Sequence, residues 1–397
     1  GFTVRDFDGY ACDAEMGAGD EAIAVLGHLD VVPAGDGWQT PPFTPTRDGD
    51  RIYGRGTSDD KGPVIASLLA MKAIRDAGIP LKRKIRLILG CDEESNWEDM
   101  AYYTAHADMP RIGFSPDASF PVINTEKGML HFQLKAEAAK TGLQVKHWMT
   151  GERVNVIPGH AEMLLEGGEA LAEQVRAYAK ETDLPYTAEV TAEGVKVTAE
   201  GIPGHSAYPE GRRNAIGMML CLLLRLGVEG PLKTIAEAVG MEHDGASLGC
   251  ACADKVSGPL TCNMGIMRVE NGQIFCTLDD RCPVEADQEK LIAATRAHLP
   301  GVQVEVIEQK APHHVPTESE LVSSLLVAYH EETGLPAEAC STGGGTYAKV
   351  LEQGVAFGAS FPDDEDLAHQ ANEYATISGL MKSMRIYANA LVRLAGE

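Results

Sequence analysis

A histidine directly after a short apolar segment is the first candidate for metal chemistry in this chain. The uncharged run Ala22–Leu26 is followed at once by the sequence GHLD, which contains His28 and Asp30. Such a run is typical of a buried strand of a parallel sheet, whose chemistry lies just beyond the carboxyl end of the strand. A carboxylate two residues after the imidazole can hold its second ring nitrogen, as proteins do to orient a metal ligand. On this spacing alone, a structural histidine that is simply hydrogen-bonded is the alternative.

Further acidic and imidazole side chains fall at strand ends or in loops. The residues of this kind are His28, Asp30, Asp59, Asp60, Glu93, Glu94, Asp117 and His369. Oxygen and imidazole ligands without a thiolate suit zinc, or manganese or cobalt in its place. Two metal ions about 3.5–4 Å apart that share a carboxylate and a hydroxide need about this many ligands. Two dications then balance three carboxylates and one hydroxide, whereas a single zinc would leave buried carboxylates unpaired at a cost on the order of several kcal/mol each.

The adjacent glutamates Glu93 and Glu94 suit a division of labour. They follow the apolar run Ile85–Leu89, which predicts a second buried strand. Neighbouring side chains on extended or loop backbone point opposite ways, so one can bind metal while the other faces the substrate as general base. A solvated acidic cluster is the alternative, but a position directly after a buried strand favours ligands.

Strand-like and helix-like segments alternate around these residues. Acidic residues at 59 and 60 ahead of Pro63 predict the start of a helix, and Gly78 predicts its end. This βαβ order indicates an α/β fold with a mostly parallel sheet flanked by helices. The alternation of strand-like and helix-like segments returns near the end of the chain. The sequence there predicts a helix over 318–333, a glycine loop at 343–345, a strand over 355–359 and a final helix over 373–394.

The segment between these two parts has a different pattern. Alternating stretches such as Val195–Thr198 and Val302–Val306 predict half-exposed antiparallel strands. Amphipathic helices are predicted near 167–182, 213–228 and 286–299. We therefore expect a discontinuous catalytic domain, 1–126 plus 312–397, with an inserted α+β domain over 127–311.

Composition excludes several classes of partner. A net charge of -24 and a pI near 4.9 argue against binding to nucleic acid or to anionic lipid. No apolar stretch approaches the roughly 18 residues that a membrane helix needs. The nine cysteines are odd in number and form no Cys-x-x-Cys pair, which favours reduced thiols and a cytoplasmic location. The chain begins at Gly1 rather than at a methionine, so we expect further sequence before it.

Several motifs together amount to a family resemblance. GHLDVVP at 27–33, GRGTSDDKG at 54–62 and DEES at 92–95 resemble those of the di-zinc aminoacylase/carboxypeptidase G-type metallopeptidases. SPDASFP at 115–121 and the segment from Ala356 to Glu373 look like the dipeptidase branch of that family, the peptidase V-like Xaa-His or β-Ala dipeptidases. The likeness covers nearly the whole chain, and it implies a zinc-exopeptidase fold with an inserted lid domain.

The resemblance implies a role for each metal-ligand candidate. His28 and Asp117 would bind one zinc, Glu94 and His369 would bind the other, and Asp59 would bridge both.

It also implies how these ligands are supported. Glu93 becomes the general base, Asp30 orients His28, and the Asp59–Asp60 peptide bond is expected to be cis.

The inserted domain is expected to supply substrate contacts. The sequence GIPGHSAYPEG at 201–211 matches a lid motif of the family, which implies that His205 donates to the oxyanion of the tetrahedral intermediate. Asn155 and Arg281 also match lid positions, and an arginine fork fits the terminal carboxylate of a peptide. The loop TGGGTY at 342–347, with Gly344, Gly345 and Thr346, can offer backbone N–H groups to the same carboxylate. On residue type alone, His205 indicates a loop histidine, Arg281 a surface charge and the glycine loop a tight turn.

The resulting hypothesis is metal-dependent hydrolysis of dipeptides with a free amino terminus. An N-acyl-amino-acid deacylase, desuccinylase or carboxypeptidase of the same family is the alternative, and an inactive metal-binding scaffold is a third. The dipeptidase branch that the chain resembles is monomeric with an enlarged lid, so the resemblance and the long insert together imply a monomer rather than a homodimer.

Overall fold

The computed structural model describes residues 1–365 and 367–396, which form two compact units. The first unit comprises Gly1–Thr125, His313–Ser341 and the described part of 345–397. The second comprises Glu126–Pro312 and the three residues Thr342–Gly344. Each unit buries its own apolar core.

The first unit is built on a nine-stranded sheet, counted over the described residues. Its strands run in the order Thr3–Phe7, Ala11–Met16, Lys84–Gly90, Ala22–His28, Ile112–Ser115, Gln353–Ala356, Val122–Glu126 and His313–His314, and Ala339–Thr342 pairs with Val122–Glu126. Its helices are Lys61–Asp76, Glu98–His106, Glu320–Thr333 and Ile377–Ala395, with a 3-10 turn at Tyr347–Val350. Small pairings join Ala118–Ser119 to Ala359–Ser360, and join Thr46–Asp48, Arg51–Tyr53 and Tyr374–Thr376.

Parallel pairing is concentrated in the middle of this sheet. The strand Ala22–His28 pairs in parallel with Lys84–Gly90 and with Ile112–Ser115, which in turn pairs in parallel with Gln353–Ala356. Antiparallel strands flank these four, as at Ala11–Met16. The predicted α/β fold is therefore confirmed, with its parallel order confined to the central strands.

The sequence of the central strand explains why it is buried on both faces. Ile23 and Val25 pack into the core cluster that includes the helices Lys61–Asp76 and Ile377–Ala395. Ala24 and Leu26, which point the other way, pack with residues of the helix Glu98–His106. A strand covered on both faces must be apolar throughout, which is the pattern the sequence showed.

The helix predicted after the acidic pair begins at Lys61 and ends at Asp76. Asp60 occupies the position before its first residue, but its side chain makes no capping hydrogen bond. Asp60 Oδ2 instead accepts from the backbone N–H of His28 at 3.2 Å. The acidic residue therefore ties the helix start to the end of the strand that carries the histidine.

The second unit contains an eight-stranded antiparallel sheet, again counted over the described residues. The strand order is Tyr186–Thr191, Gly194–Glu200, His160–Leu165, Val145–Thr150, Thr261–Glu270, Gln273–Cys282, Gly128–Glu137 and Gln303–Lys310. The helices are Glu169–Thr182, Ala215–Arg225, Pro231–Ala238 and Gln288–His298. Two short pairings join Val156–Ile157 to Gly204–His205 and Ala253–Asp254 to Gly258–Pro259. Three of these helices match predicted ones, whereas Pro231–Ala238, like Glu98–His106 in the first unit, is too short for its periodicity to predict.

Other features of the described chain bear on the sequence predictions. The Asp59–Asp60 peptide bond is cis, as the family resemblance implied, and so are Phe120–Pro121 and Gly358–Ala359. All nine cysteines lie in the described part, and none forms a disulfide there. Within residues 1–365 and 367–396, no helix has both the length and the apolar character needed to cross a membrane.

Candidate metal centre

The candidate ligands gather at the carboxyl ends of the central parallel strands of the first unit. His28 is the last residue of its strand, Glu93 and Glu94 follow the strand Lys84–Gly90, and Asp117 follows Ile112–Ser115. Parallel strands end at the same edge of a sheet, so side chains that are distant in sequence meet there.

His28 is fully buried and its two ring nitrogens have different surroundings. Nδ1 lies 3.1 Å from the backbone oxygen of Asp30 and 3.2 Å from Asp30 Oδ1. Nε2 lies 3.0 Å from Asp59 Oδ1 and 3.7 Å from Asp117 Oδ2. Asp30 thus holds the Nδ1 proton, which leaves Nε2 as the ligand atom.

Asp59 stands between two histidines. Its Oδ1 is 3.0 Å from His28 Nε2, and its Oδ2 is 3.0 Å from His369 Nε2, which is also 2.9 Å from Glu94 Oε1. Ligand atoms about 2.0–2.1 Å from a tetrahedral zinc lie about 3.3 Å apart, close to these separations.

Two three-residue groups follow from this geometry. One is His28, Asp59 and Asp117, and the other is Asp59, Glu94 and His369. Asp59 belongs to both groups, so the five predicted ligands converge with this carboxylate in the middle.

The electrostatics of the donor set fit bound cations. Burial and the negative charge of Asp59 raise the pKa of Asp117 to about 7. Burial, with the nearby Asp117 and Glu94 carboxylates, raises the pKa of Glu93 as well. The carboxylates Asp59 and Glu94 raise the pKa of His369 to about 10. Carboxylates packed this closely attract protons when no other positive charge is present, and dications would take the place of those protons.

Glu93 and Glu94 are both aligned by Asp30. Their backbone N–H groups donate to Asp30 Oδ1 at 3.2 Å and to Asp30 Oδ2 at 3.1 Å. Glu94 then reaches His369, whereas no described side chain accepts from or donates to the Glu93 carboxylate. Asp30 therefore does more than the predicted orientation of His28, because it also sets the backbone of the glutamate pair.

A supporting residue that the sequence reasoning missed is Glu373. Its carboxylate is fully buried and accepts from Arg55 Nη1 at 2.6 Å. It also accepts from the backbone N–H groups of Gly56, Ser58 and Asp59 at 3.0, 2.9 and 3.2 Å. Glu373 thus fixes the loop that carries the central aspartate. The sequence analysis named Glu373 only as the last residue of the segment from Ala356 that resembles the dipeptidase branch, and it assigned the residue no role.

Asp99 supports the glutamate loop in a similar way and was also missed. This buried carboxylate accepts from the backbone N–H groups of Cys91 and Asp92 at 2.6 and 3.0 Å, and from the hydroxyl of Tyr347. Asp99 lies in the first turn of the helix Glu98–His106. An acidic residue there is usually explained by its attraction to the positive end of the helix dipole, so the sequence offered no reason to expect a second role.

The substrate-contact candidate His205 lies in the second unit. It ends the short strand Gly204–His205, which pairs with Val156–Ile157. The backbone N–H of Ala207 donates to His205 Nδ1 at 3.1 Å. Because Nδ1 accepts a hydrogen bond, a neutral His205 carries its proton on Nε2, which is the form an oxyanion donor requires.

Arg281, also in the second unit, is buried rather than a surface charge. Its Nη2 donates to Asp279 Oδ2 at 3.0 Å, its Nε lies 2.8 Å from Asp279 Oδ1, and its Nη1 donates to the backbone oxygen of Gly343 at 2.8 Å. A guanidinium has five N–H groups, so one on each terminal nitrogen is left after these contacts. Asn155 lies in a turn before Val156, and its backbone oxygen accepts from Ser206 at 3.0 Å.

The glycine loop is divided between the two units. Gly344 belongs to the second unit, and its backbone N–H donates to Thr342 Oγ1 at 3.0 Å. Gly345 is exposed and Thr346 is buried, both in the first unit, and the hydroxyl of Thr346 accepts from the backbone N–H of Ala348. A carboxylate that used the Gly344 N–H would have to replace its bond to Thr342.

Comparison with known proteins supports one family. A family model described as Peptidase family M20/M25/M40 matches residues 24–393. The "Putative dipeptidase YtjP" of Bacillus subtilis (strain 168) is 36% identical over 407 residues, covering 100% of this chain and 88% of the relative. The "Putative dipeptidase SSP1012" of Staphylococcus saprophyticus is 34% identical over 417 residues, with the same two coverages, 100% and 88%.

Solved structures share the fold at low identity. Aminoacylhistidine dipeptidase from Vibrio alginolyticus aligns with a TM-score of 0.61 and 16% identity, over 100% of this chain and 90% of that one. Human carnosine dipeptidase 1 aligns with a TM-score of 0.56 and 14% identity, over 97% of this chain and 82% of that one. At these identities the likeness establishes the fold. Together with the family model and the relatives, it shows that this chain belongs to peptidase family M20/M25/M40 and is a metallopeptidase, as its motifs predicted.

Proposed function

We propose that this chain hydrolyses dipeptides with a free amino terminus at a centre of two zinc ions. The observation that carries the proposal is the position of Asp59, whose two carboxylate oxygens each lie 3.0 Å from a different histidine Nε2. A carboxylate that faces two imidazoles in this way can bridge two metal ions.

The five converging side chains would hold the metals. We assign His28 and Asp117 to one zinc, Glu94 and His369 to the other, and Asp59 to both. Manganese or cobalt can replace zinc in such a nitrogen and oxygen donor set. When bound, the metals supply Lewis acidity to the scissile carbonyl and to the attacking water.

Glu93 is proposed as the general base. Its backbone is fixed by Asp30, while its carboxylate has no hydrogen bond to a described side chain and is free to act on a substrate. It takes a proton from the attacking water as the new C–O bond forms and the carbonyl oxygen becomes an oxyanion. It then passes that proton to the nitrogen of the leaving amine, so that the C–N bond breaks as the carbonyl re-forms. The raised pKa of this carboxyl, caused by burial and by neighbouring carboxylates, favours the first transfer, because it makes the carboxylate a stronger base.

Residues of the second unit are proposed to bind the substrate. His205 Nε2–H donates to the oxyanion that develops on the scissile carbonyl, a contribution typically worth about 10²–10³ in rate. Arg281 binds the terminal carboxylate through the two N–H groups that its other contacts leave, and Asn155 lines the same site. Backbone N–H groups of Gly345 and Thr346, which belong to the first unit, and of Gly344 once it releases Thr342 are also proposed to donate to this carboxylate.

The relatives support the dipeptide as substrate. The Bacillus and Staphylococcus proteins that match this chain over its full length both carry the name dipeptidase. The nine unpaired thiols support a cytoplasmic location. We further propose that the protein acts as a monomer, because its insert is long.

The decisive experiment combines metal analysis with a substrate panel. We expect two zinc ions per chain in the purified protein, turnover of dipeptides, loss of turnover after chelation and recovery on adding zinc. N-acetyl amino acids are assayed beside the dipeptides, because preference for them would replace the dipeptidase assignment by a deacylase. A zinc-loaded protein that is inert on both panels would indicate a metal-binding scaffold instead.

A further inference from the structure

A row of polar side chains crosses the sheet of the second unit. In the register of the antiparallel strands, Glu308 lies opposite His131, His131 lies opposite Asp279, and Asp279 lies opposite Asn263. Residues paired across neighbouring strands point to the same face, so these four side chains form one line over four strands. Their burial is unusual for such residues, since His131, Asp279 and Asn263 are each less than 10% exposed.

Asp279 is the centre of this row and contacts two segments proposed to bind substrate. Its Oδ2 accepts from Ser206 Oγ at 2.5 Å, and Ser206 directly follows His205. The same carboxylate holds the guanidinium of Arg281, with Nη2 at 3.0 Å and Nε at 2.8 Å.

The end of the row holds a third segment. Asn263 Nδ2 lies 3.3 and 3.0 Å from the backbone oxygens of Val154 and Val156, which flank Asn155. Asn263 Oδ1 accepts from Asn214 Nδ2 at 2.8 Å, and Asn214 caps the helix Ala215–Arg225. One buried row thus contacts the side chain of Arg281 and the chain neighbours of His205 and Asn155.

The charges along the row alternate in sign. Glu308 Oε2 lies 2.7 Å from His131 Nδ1, and Asp279 Oδ1 lies 3.2 Å from His131 Nε2. The two carboxylates raise the pKa of His131 against the opposing effect of burial. A protonated His131 offsets the charge of Asp279, so that Asp279 can orient Arg281 without cancelling its positive charge.

We propose that Asp279 is a positioning residue for substrate binding, and that His131 keeps the charge of Arg281 available for the terminal carboxylate of the substrate. This inference rests on the proposed function, because it gives Arg281 the carboxylate as its ligand. Glu308 completes the row by holding His131 from the opposite side.

The test compares binding of a dipeptide with binding of its C-terminal amide. Both are titrated by calorimetry into zinc-loaded protein that carries Glu93→Gln, which prevents turnover. We expect the dipeptide to bind at least about tenfold more tightly than the amide. In His131→Gln and in Asp279→Asn, the ratio of the two dissociation constants should fall close to one. The matched control is Asp280→Asn, which changes the next buried carboxyl on the same strand but on its opposite face, and it should keep the preference.

A kinetic comparison separates positioning from charge. With Glu93 intact, Asp279→Asn should also lower kcat, because Ser206 loses its carboxylate partner beside His205. His131→Gln should leave kcat within about twofold of the wild-type value. It should raise KM for the dipeptide but not KM for the C-terminal amide.

Several outcomes would overturn the inference. An unchanged preference in His131→Gln, or an equal loss of preference in Asp280→Asn, would do so, and circular dichroism melting identifies variants that fail to fold. Should Asp279→Asn not fold, the His131→Gln result decides by itself. If the Glu93→Gln protein binds dipeptide and amide equally while the wild type hydrolyses dipeptides, the inference fails and the proposed hydrolysis stands. A wild type that hydrolyses no dipeptide would refute the proposed function itself.

Discussion

Glu93 and Glu94 are neighbours in the chain with different surroundings. Glu94 faces His369, whereas the Glu93 carboxylate has no described side chain as a hydrogen-bond partner. A metal ligand and a proton carrier differ in this respect, because a ligand must be held and a base must remain free to reach the substrate.

Glu93→Gln should therefore separate metal binding from turnover. We expect the variant to retain both zinc ions and to lose about 10²–10⁴ in kcat, since the amide cannot accept a proton. Metal content is measured by elemental analysis and kcat on a dipeptide. Glu98→Gln, an exposed glutamate five residues away, is the control and should retain full activity. Near-normal turnover of Glu93→Gln would refute the base assignment.

Glu373→Gln tests the buried carboxylate that organises the Asp59 loop. Its pair with Arg55 is almost fully buried, with side chains 0% and 1% exposed. Removing one partner of such a pair typically costs about 3–5 kcal/mol, because the remaining charge is left uncompensated. The matched control is Glu352→Gln, whose pair with Arg111 has side chains 59% and 70% exposed, so that its loss should leave the free energy of unfolding nearly unchanged. Chemical unfolding measures both, and equal losses would contradict the assignment.

Asp279 and Asp280 are adjacent and buried, yet their pKa values move in opposite directions. Burial raises the pKa of Asp280 to about 7, whereas His131 and Arg281 overcome burial and lower that of Asp279 to about 2. A carboxyl whose folded-state pKa is raised from 3.8 binds its proton more tightly when folded. Its contribution to stability is present below pH 3.8 and is lost as the pH rises through 7.

Asp280→Asn should remove the loss of stability that the ionisation of Asp280 causes as the pH rises. We expect the unfolding temperature of the variant to exceed that of the wild type at pH 8, and the difference to shrink towards pH 4. Asp279→Asn should behave in the opposite way, because a lowered pKa stabilises the fold above pH 3.8 and that contribution is lost towards pH 2. Thermal melts at several pH values measure both variants, and parallel curves for Asp280→Asn and wild type would contradict the assignment.

At the scale of elements, the close approach of one helix to one strand determines where the ligands lie. A Cβ on Gly27 would come within 2.4 Å of Val64 Cγ2 and 2.6 Å of Asp60 Oδ2. The start of the helix Lys61–Asp76 can therefore sit against the strand end that carries His28 only because residue 27 lacks a side chain.

Gly27→Ala should push these two elements apart. We expect a loss of about 1–3 kcal/mol in the free energy of unfolding, the usual cost of overpacking. Weaker zinc binding should accompany this loss, because Asp59 directly precedes the displaced residues. Denaturant unfolding and zinc titration measure the two effects, and an unchanged variant would show that the strand and helix can adjust.

The sequence predicted the elements that have strong local signals. The apolar runs at 22–26 and 85–89 became central strands, and the ligand motifs that follow them converge as expected. Glu373 and Asp99 escaped prediction because most of their partners are backbone N–H groups, which every residue type offers and which therefore leave no sequence pattern. The burial of Arg281 also escaped prediction, since it depends on a pairing with Asp279 that only the sheet geometry reveals.

At the scale of the whole molecule, the metal candidates all belong to one of two units with separate cores. Zinc binding should therefore stabilise the first unit by mass action and leave the second largely unaffected. The three tryptophans can report this, because Trp38 and Trp97 lie in the first unit and the buried Trp148 lies in the second.

Chelation should split thermal unfolding into two steps. We expect the step reported by Trp38 and Trp97 in a Trp148→Phe variant to shift to lower temperature after chelation. The step reported by Trp148, measured in a variant with Trp38→Phe and Trp97→Phe, should stay at the same temperature after chelation. Equal shifts of both steps would contradict independent cores.

The order of the two units along the chain has a consequence for synthesis. A ribosome completes Glu126–Pro312, nearly the entire second unit, before it makes His369. The eight-stranded sheet can therefore fold while the first unit still lacks five of its described strands and two of its described helices. At that moment Arg281 has no Gly343 carbonyl to bind, and the candidate metal centre lacks one of its two imidazoles. The candidate metal centre is thus among the last parts of the protein to be assembled.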